Sequence, residues 1–285
     1  MAEIIDGKAL ASEIKEDLKA KVNEYFIKHN RKITLAVILV GENPASKVYV
    51  NNKIKATEYV GMKSLSYYLP ETVAESDITS LIDTLSEDKS VDGILVQLPL
   101  PKGFDEEKVL SHIPAIKDVD GFLAENVGNL CLGKKSTVSC TPLGIIRMLE
   151  SKNVELSGKH AVVIGRSNIV GKPMAMLLLQ KNCTVTVCHS KTENLREITK
   201  TADILIVAIG KPEFIKKDDV KSGAVVIDVG INRTENGLKG DVDFENVKEV
   251  ASLITPVPGG VGPMTIAILL ENTYNAAIRR DELGL

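Results

Sequence analysis

Tyr49 and Lys53 stand four residues apart in the segment Ala45 to Tyr59, whose composition suits a helix. Residues at i and i+4 share one helix face, so a phenol and an amine are presented together. The segment starts just past the apolar run Ile33 to Val40 and the break Gly41-Glu-Asn-Pro44. Sites in parallel sheets collect at such strand ends. Taken alone, the pair also suits a solvated helix face, since lysine is mostly exposed. Gln97 extends from a second apolar strand, Gly93-Ile-Leu-Val-Gln-Leu-Pro-Leu-Pro101. An amide there needs hydrogen-bond partners, whether backbone groups or a functional side chain. Lys117-Asp-Val-Asp-Gly121 sets two carboxylates in one loop. No glycine-rich calcium loop with a terminal Glu follows. A ligand-binding Asp and plain turn chemistry are the two readings left, and no metal site is expected.

In the second half, Ala161-Val-Val-Ile-Gly-Arg-Ser-Asn-Ile-Val-Gly171 reads as a buried strand, a turn and a helix start. Gly165 and Gly171 occupy the places of a tight turn and a close helix contact, and a helix N-terminus offers N–H groups to a phosphate. Ser167 stands where the usual fingerprint has its second glycine, so the backbone approach to a pyrophosphate is expected to differ. A structural strand-to-helix turn is the alternative reading. The next strand end, Cys188-His-Ser-Lys-Thr192, has no carboxylate before Glu193. A carboxylate would repel a ribose 2′-phosphate. Ser190, with Arg166 in the preceding turn, suits one through charge-assisted hydrogen bonds. This favours NADP over NAD, although Ser190 and Lys191 also suit a helix cap. Pro256-Val-Pro-Gly-Gly-Val-Gly-Pro-Met-Thr265 concentrates fixed φ and glycine freedom in one decapeptide. That combination suits a stiff turn approaching a flat ligand, or an interdomain turn.

Elements alternate throughout. Helices are expected over Lys8 to Lys28, Ala45 to Tyr59, Ile78 to Leu85, Asp105 to Ile113, Pro142 to Glu150, Gly171 to Gln180, Asn194 to Thr201 and 264 to 280. Strands are expected over Ile33 to Val40, Lys63 to Leu69, Gly93 to Leu98, His160 to Ile164, Thr184 to Cys188, Ile204 to Ile209 and Ala224 to Val229. Repeated βα units imply parallel sheets covered on both faces. The fold class expected is α/β, with two α/β domains. The C-terminal one is a Rossmann-like dinucleotide-binding domain, and a catalytic cleft lies between the two. Gly133 to Ser139 is the candidate boundary. A first domain spans 1–140, with the C-terminal helix 264–285 packing back on it, and a second spans 141–263.

At 285 residues the chain has room for about two domains. A net charge of −3 and the absence of Trp argue against a nucleic-acid surface. No apolar run reaches the ~20 residues of a membrane span. The first residues have no basic segment leading an apolar one, so no signal peptide is expected. Four cysteines without a Cys-x-x-Cys pair, and four histidines, argue against zinc and for reduced cytoplasmic thiols.

Together these segments resemble the methylenetetrahydrofolate dehydrogenase/methenyltetrahydrofolate cyclohydrolases. Tyr49-Val-x-x-Lys53, Gly93 to Pro101, Lys117 to Gly121, Gly165-Arg-Ser-x-Ile-Val-Gly171 and Pro256 to Thr265 follow the family's order and spacing over nearly the whole chain. The resemblance implies two steps in one site. A hydride passes from 5,10-methylenetetrahydrofolate to NADP, and water then attacks the methenyl cation to give 10-formyltetrahydrofolate. It implies Lys53 as the central group of hydrolysis, Gln97 as its tuning partner and Tyr49 as a group that stacks near the folate. Asp120 would hold the pterin's amino edge, and Pro258, Gly259 and Gly260 would lie nearest the folate. Gly165, Arg166, Ser167, Ser190 and Ile231 would contact NADP. A lysine takes a proton only in its neutral form, which burial generally favours. A homodimer through the cofactor domain is implied, and no fused formate–tetrahydrofolate ligase domain is expected. The rival readings are another two-domain NADP dehydrogenase, such as a shikimate dehydrogenase, and a catalytically silent dinucleotide-binding regulator.

Overall fold

The computed structural model describes residues 1–235 and 237–285. In chain order the elements are β1 (Glu3–Ile4), α1 (Gly7–His29), β2 (Thr34–Val40), α2 (Pro44–Tyr59), β3 (Lys63–Leu69), α3 (Glu75–Glu87), β4 (Gly93–Val96), α4 (Glu106–Ser111), α5 (Ala124–Cys131) and α6 (Cys140–Ser151). There follow β5 (His160–Ile164), α7 (Gly171–Gln180), β6 (Thr184–Cys188), α8 (Leu195–Thr199), β7 (Ile204–Val207), β8 (Val225–Asp228), β9 (Asn232–Thr234), β10 (Gly237–Lys239), α9 (Phe244–Val247), β11 (Leu253–Ile254) and α10 (Val261–Glu282).

The chain forms two compact units. One comprises 13–129, 135–138 and 266–285; the other comprises 1–12, 130–134 and 139–265. The first holds a parallel sheet of order β3-β2-β4. All seven residues of β2 are buried, which is why its sequence is a continuous apolar run rather than an alternating one. Ala36, Ile38 and Val40 pack with Ile78, Ile82, Ile94 and Val109 in one cluster. Leu18, Val22, Ile33, Met62 and Leu270 form another in the same unit. Each such aliphatic side chain contributes roughly 1.5–3 kcal/mol on burial.

The second unit holds a six-stranded parallel sheet of order β1-β11-β8-β7-β5-β6, and an antiparallel β9/β10 pair. Strand order reverses between β5 and β7, the arrangement that opens a ligand crevice at the carboxyl ends of the strands. Val162, Ile164, Leu205, Val207 and Val226 form its core.

Most element ends differ from the apolar runs by one or two residues. Strand β7 ends at Val207 rather than Ile209 because the N–H groups of Ile209, Gly210 and Lys211 leave the ladder for the Asp241 carboxylate. Strand β4 ends at Val96, although the Gln97 N–H still donates to the Ile38 carbonyl at 2.8 Å. Pro99 then lacks the N–H to continue. Helix α10 starts at Val261, so Pro263 sits inside its first turn, where a missing N–H costs little.

Candidate active and dinucleotide sites

In the three-stranded unit, the site begins at the carboxyl end of β2. Gly41 turns the chain at φ +82°, a left-handed conformation that favours glycine. Asn43 caps α2, its Oδ1 accepting from the N–H groups of Ala45 (2.9 Å) and Ser46 (3.2 Å). Pro44 adds a φ already set for a first helical turn. The inward stripe of α2 is Ser46, Val50, Lys53 and Thr57. Lys53 therefore lies on the buried face, 7% exposed, and the solvated-face reading does not hold. Tyr49 is half-buried, and burial raises its phenol pKa.

Lys53 Nζ donates to Gln97 Oε1 at 3.0 Å. The Gln97 amide nitrogen donates to the Leu98 carbonyl at 2.7 Å, which turns the amide oxygen toward the lysine. The amide is thus satisfied by one backbone group and the Lys53 amine.

The loop after α4 separates its two carboxylates. Asp118 is buried and accepts from the N–H groups of Gly121 (2.9 Å) and Leu123 (3.0 Å) and from Asn126 Nδ2 (2.9 Å). It does the turn chemistry. Asp120 is half-buried two residues on. Lys117 is buried too, and its ammonium caps the end of α3 through the carbonyls of Leu85, Ser86 and Asp88. Burial, with Arg280 nearby, lowers its pKa to about 8. The Ile94 N–H donates to the Lys117 carbonyl at 2.8 Å, and a Cβ at Gly93 would overlap Val119. The loop is held tightly along β4, the strand that leads to Gln97.

In the six-stranded unit, Gly165 takes φ +122° and a Cβ there would overlap the Ala208 carbonyl oxygen. A Cβ at Gly171 would overlap the Gly165 carbonyl. Both glycines are required by close backbone approach, the geometry of a dinucleotide cradle. Replacing Gly171 with Ala is expected to force the turn and α7 apart and to abolish measurable NADP binding by calorimetry; binding at wild-type affinity would refute the contact. The helix amides are less free than the sequence suggests. Ser167 Oγ accepts from the N–H groups of Val170 (3.2 Å) and Gly171 (3.3 Å), and the Ser167 carbonyl accepts from Lys172 (3.0 Å). The exposed Ser167 hydroxyl keeps its own proton to donate outward. Arg166 and Ser190 are exposed, and Ile231 is 44% exposed.

Ser190 belongs to a closed turn rather than a helix cap. His189 N–H donates to Thr192 Oγ1 and Thr192 N–H to the His189 carbonyl, while α8 starts only at Leu195. Pro258 is exposed, Gly259 takes φ +103° and Gly260 is buried. The Gly259 carbonyl accepts from Lys8 N–H at 2.9 Å, and Gly7 is pressed against the Gly260 carbonyl. This segment is thus a rigid, internally bonded turn of its own unit.

Two carboxylates escaped the sequence reading. Asp228, at the end of β8, accepts from the N–H groups of Gly230, Asp241 and Val242, and burial raises its pKa to about 7. Asp241 is fully buried. The available signal was an acid closing an apolar strand, with glycines beside it. Among the described residues, no group of three or more His, Cys, Asp or Glu side chains is placed to hold a metal ion.

Fold and site define a two-unit α/β protein, with a dinucleotide-type crevice in one unit and a buried lysine–amide pair in the other. Residues 5–120 match the family model described as "Tetrahydrofolate dehydrogenase/cyclohydrolase, catalytic domain", and residues 139–281 match its NAD(P)-binding domain. The chain is 58% identical over 280 residues to the "Bifunctional protein FolD" of Listeria innocua, covering 98% of each chain. It superposes with a TM-score of 0.96 on the bifunctional enzyme FolD of Campylobacter jejuni, at 51% identity, covering 98% of this chain and 100% of that one. The Trypanosoma brucei dehydrogenase-cyclohydrolase, solved with NADP cofactor and inhibitor, gives 0.95 at 37% identity with 98% coverage of each chain. The chain belongs to the tetrahydrofolate dehydrogenase/cyclohydrolase family.

Proposed function

We propose that this chain oxidises 5,10-methylenetetrahydrofolate to 5,10-methenyltetrahydrofolate with NADP, and hydrolyses the product to 10-formyltetrahydrofolate. The observation that carries this reading is the buried Lys53 amine against Gln97 Oε1 at 3.0 Å. An amine that donates one N–H to Gln97 retains, in its neutral form, a lone pair for a proton. In hydrolysis, water adds to the methenyl carbon and Lys53 takes one of its two protons. The carbon–nitrogen bond to N5 then breaks as the remaining hydroxyl proton passes to N5, leaving the formyl group on N10 and the Lys53 proton to return to solvent. Gln97 holds the amine in place. Tyr49 presents a ring to the folate, and Asp120 accepts from the pterin's amino edge through two oxygens. Pro258, Gly259 and Gly260 supply a stiff backbone surface for the folate.

The cradle of Gly165 and Gly171 fits a dinucleotide. Gly165, Arg166, Ser167, Ser190 and Ile231 would hold NADP. When bound, NADP supplies the hydride acceptor. The protein's share in that step is orientation. Arg166→Ala is expected to raise KM for NADP roughly 10- to 100-fold, the worth of a hydrogen bond to a charged group, while KM for NAD changes less than about twofold. Equal losses with the two cofactors would remove Arg166 from the 2′-phosphate.

The protein works as a homodimer in the cytoplasm. Supporting this are β6, an edge strand whose Val187 is 38% exposed, the exposed Leu179 of α7, and four free cysteines, three of them buried as thiols. No described helix is long and apolar enough to cross a membrane. Initial rates with 5,10-methylenetetrahydrofolate and NADP or NAD, then methenyltetrahydrofolate alone, test the reading. NADP reduction with enzyme-dependent loss of the methenyl band is the expected result. Reduction alone would leave a dehydrogenase, and neither signal a silent regulator.

A further inference from the structure

In the sheet order β8-β7-β5, the carboxyl ends of β7 and β8 lie to one side of the Gly165 turn, and N–H groups of the loops after them bond to buried side chains. The loop after β7 turns three successive N–H groups inward onto one side chain. Asp241 Oδ2 accepts from Ile209 (2.7 Å) and Gly210 (3.0 Å), and Oδ1 accepts from Lys211 (2.8 Å). The same Oδ1 accepts from Asn232 Nδ2 at 2.9 Å, tying down the residue next to Ile231. The Asp241 backbone is fixed in turn, because Asp228 Oδ1 accepts from the Asp241 N–H at 2.8 Å and Oδ2 from the Val242 N–H at 2.9 Å. A Cβ at Gly230 would overlap the Asp241 carboxyl, and one at Gly240 the Asp228 carboxyl. The space around both acids is closed to any further side chain. Ala208, whose carbonyl oxygen abuts Gly165, immediately precedes the loop that Asp241 holds.

We propose that Asp241 is the positioning residue of the cofactor rim, one carboxylate setting the loops after β7 and β8 in the shape that receives NADP. The proposal rests on the reading of the six-stranded unit as the NADP-binding half. Asp241 touches no ligand itself; it acts through residues 209–211 and 231–232. No isosteric amide can replace it. In either orientation, an Asn at 241 would turn its NH2 toward two groups that also donate, N–H of Ile209 and Gly210 or N–H of Lys211 with Asn232 Nδ2.

Asp241→Asn is therefore expected to raise Kd and KM for NADP about tenfold or more, the cost of losing at least one charge-assisted hydrogen bond from the rim. The kcat at saturating NADP should change less than KM, because bound cofactor restores the loops. Melting temperature without NADP separates this from a plain structural part. A variant whose melting temperature falls while its KM for NADP stays at the wild-type value overturns the proposal. So does a stable variant with wild-type KM. Asn232→Ala removes one donor to the same oxygen without touching the buried acid, and serves if Asp241→Asn fails to fold. Its KM for NADP is expected to rise about threefold or more by the same energy scale, and an unchanged KM overturns the proposal. A wild-type chain that binds neither NADP nor NAD by calorimetry would overturn the cofactor reading and this proposal together.

Discussion

Lys53→Met is expected to bring hydrolysis of methenyltetrahydrofolate down to its spontaneous rate, while NADP still binds. Methionine keeps an unbranched, apolar stem of similar length, so the inward stripe of α2 stays filled. What disappears is Nζ, the donor to Gln97 Oε1 at 3.0 Å and the proposed proton acceptor. General base catalysis contributes about 10²- to 10⁴-fold, so the loss lies well within the range of a methenyl absorbance assay. The dehydrogenase step needs orientation rather than a dedicated acid, so it should fall much less than hydrolysis. Binding of NADP to the variant, measured by calorimetry, checks that the six-stranded unit is intact. Enzyme-dependent hydrolysis that survives in Lys53→Met would take the base out of this position and leave Lys53 a buried packing residue.

The parts of this fold legible in the sequence are those whose signal is local. Strand β2 shows as a continuous apolar run because both of its faces are covered, and α2 shows through Asn43 and Pro44 at its start. Gln97 stands out as an amide at the end of an apolar strand. Its pairing with Lys53, 44 residues away, does not, since no local spacing encodes which side chain meets that amide. Gly165 and Gly171 are legible as glycines in a strand-to-helix turn. That Ser167 uses its hydroxyl on the amides of Val170 and Gly171 is a property of the folded turn. The two-residue strands β1 and β11 are too short for any periodicity, and they pair 250 residues apart in the register Glu3 to Leu253. Helix α5 carries its apolar stripe over only eight residues, with Gly128 inside it, too short a run to announce a helix. Asp228 and Asp241 look like surface acids in sequence, and only the folded chain brings seven hydrogen-bond donors onto them.

Asp92→Ala should lower the melting temperature more than any surface change in the three-stranded unit. Asp92 is fully buried and receives Arg31 Nη1 on both oxygens at 3.0 Å, Arg280 Nη1 at 2.8 Å and the Thr34 N–H at 2.9 Å. Arg280 is only 3% exposed, with its other donors on the carbonyls of Val91 and Lys89. Removing the carboxylate leaves a guanidinium in the interior with no counter-charge, and breaking a buried pair from one side costs about 3–5 kcal/mol. For a chain of this length that is roughly 6–20 °C. Arg31→Ala should cost far less, because the Arg31 side chain is 29% exposed and the Asp92–Arg280 pair survives. The double change Asp92→Ala with Arg280→Met should recover part of the loss, since it removes both charges together. Recovery would assign the cost to the stranded cation. A double variant as unstable as the sum of its parts would assign it to the bonds that fix Thr34 and the start of β4. Asp92 directly precedes Gly93, the first residue of the strand that ends at Gln97. Hydrolysis measured in the same variants below their melting range therefore reads whether this ion cluster also holds the lysine–amide pair in register.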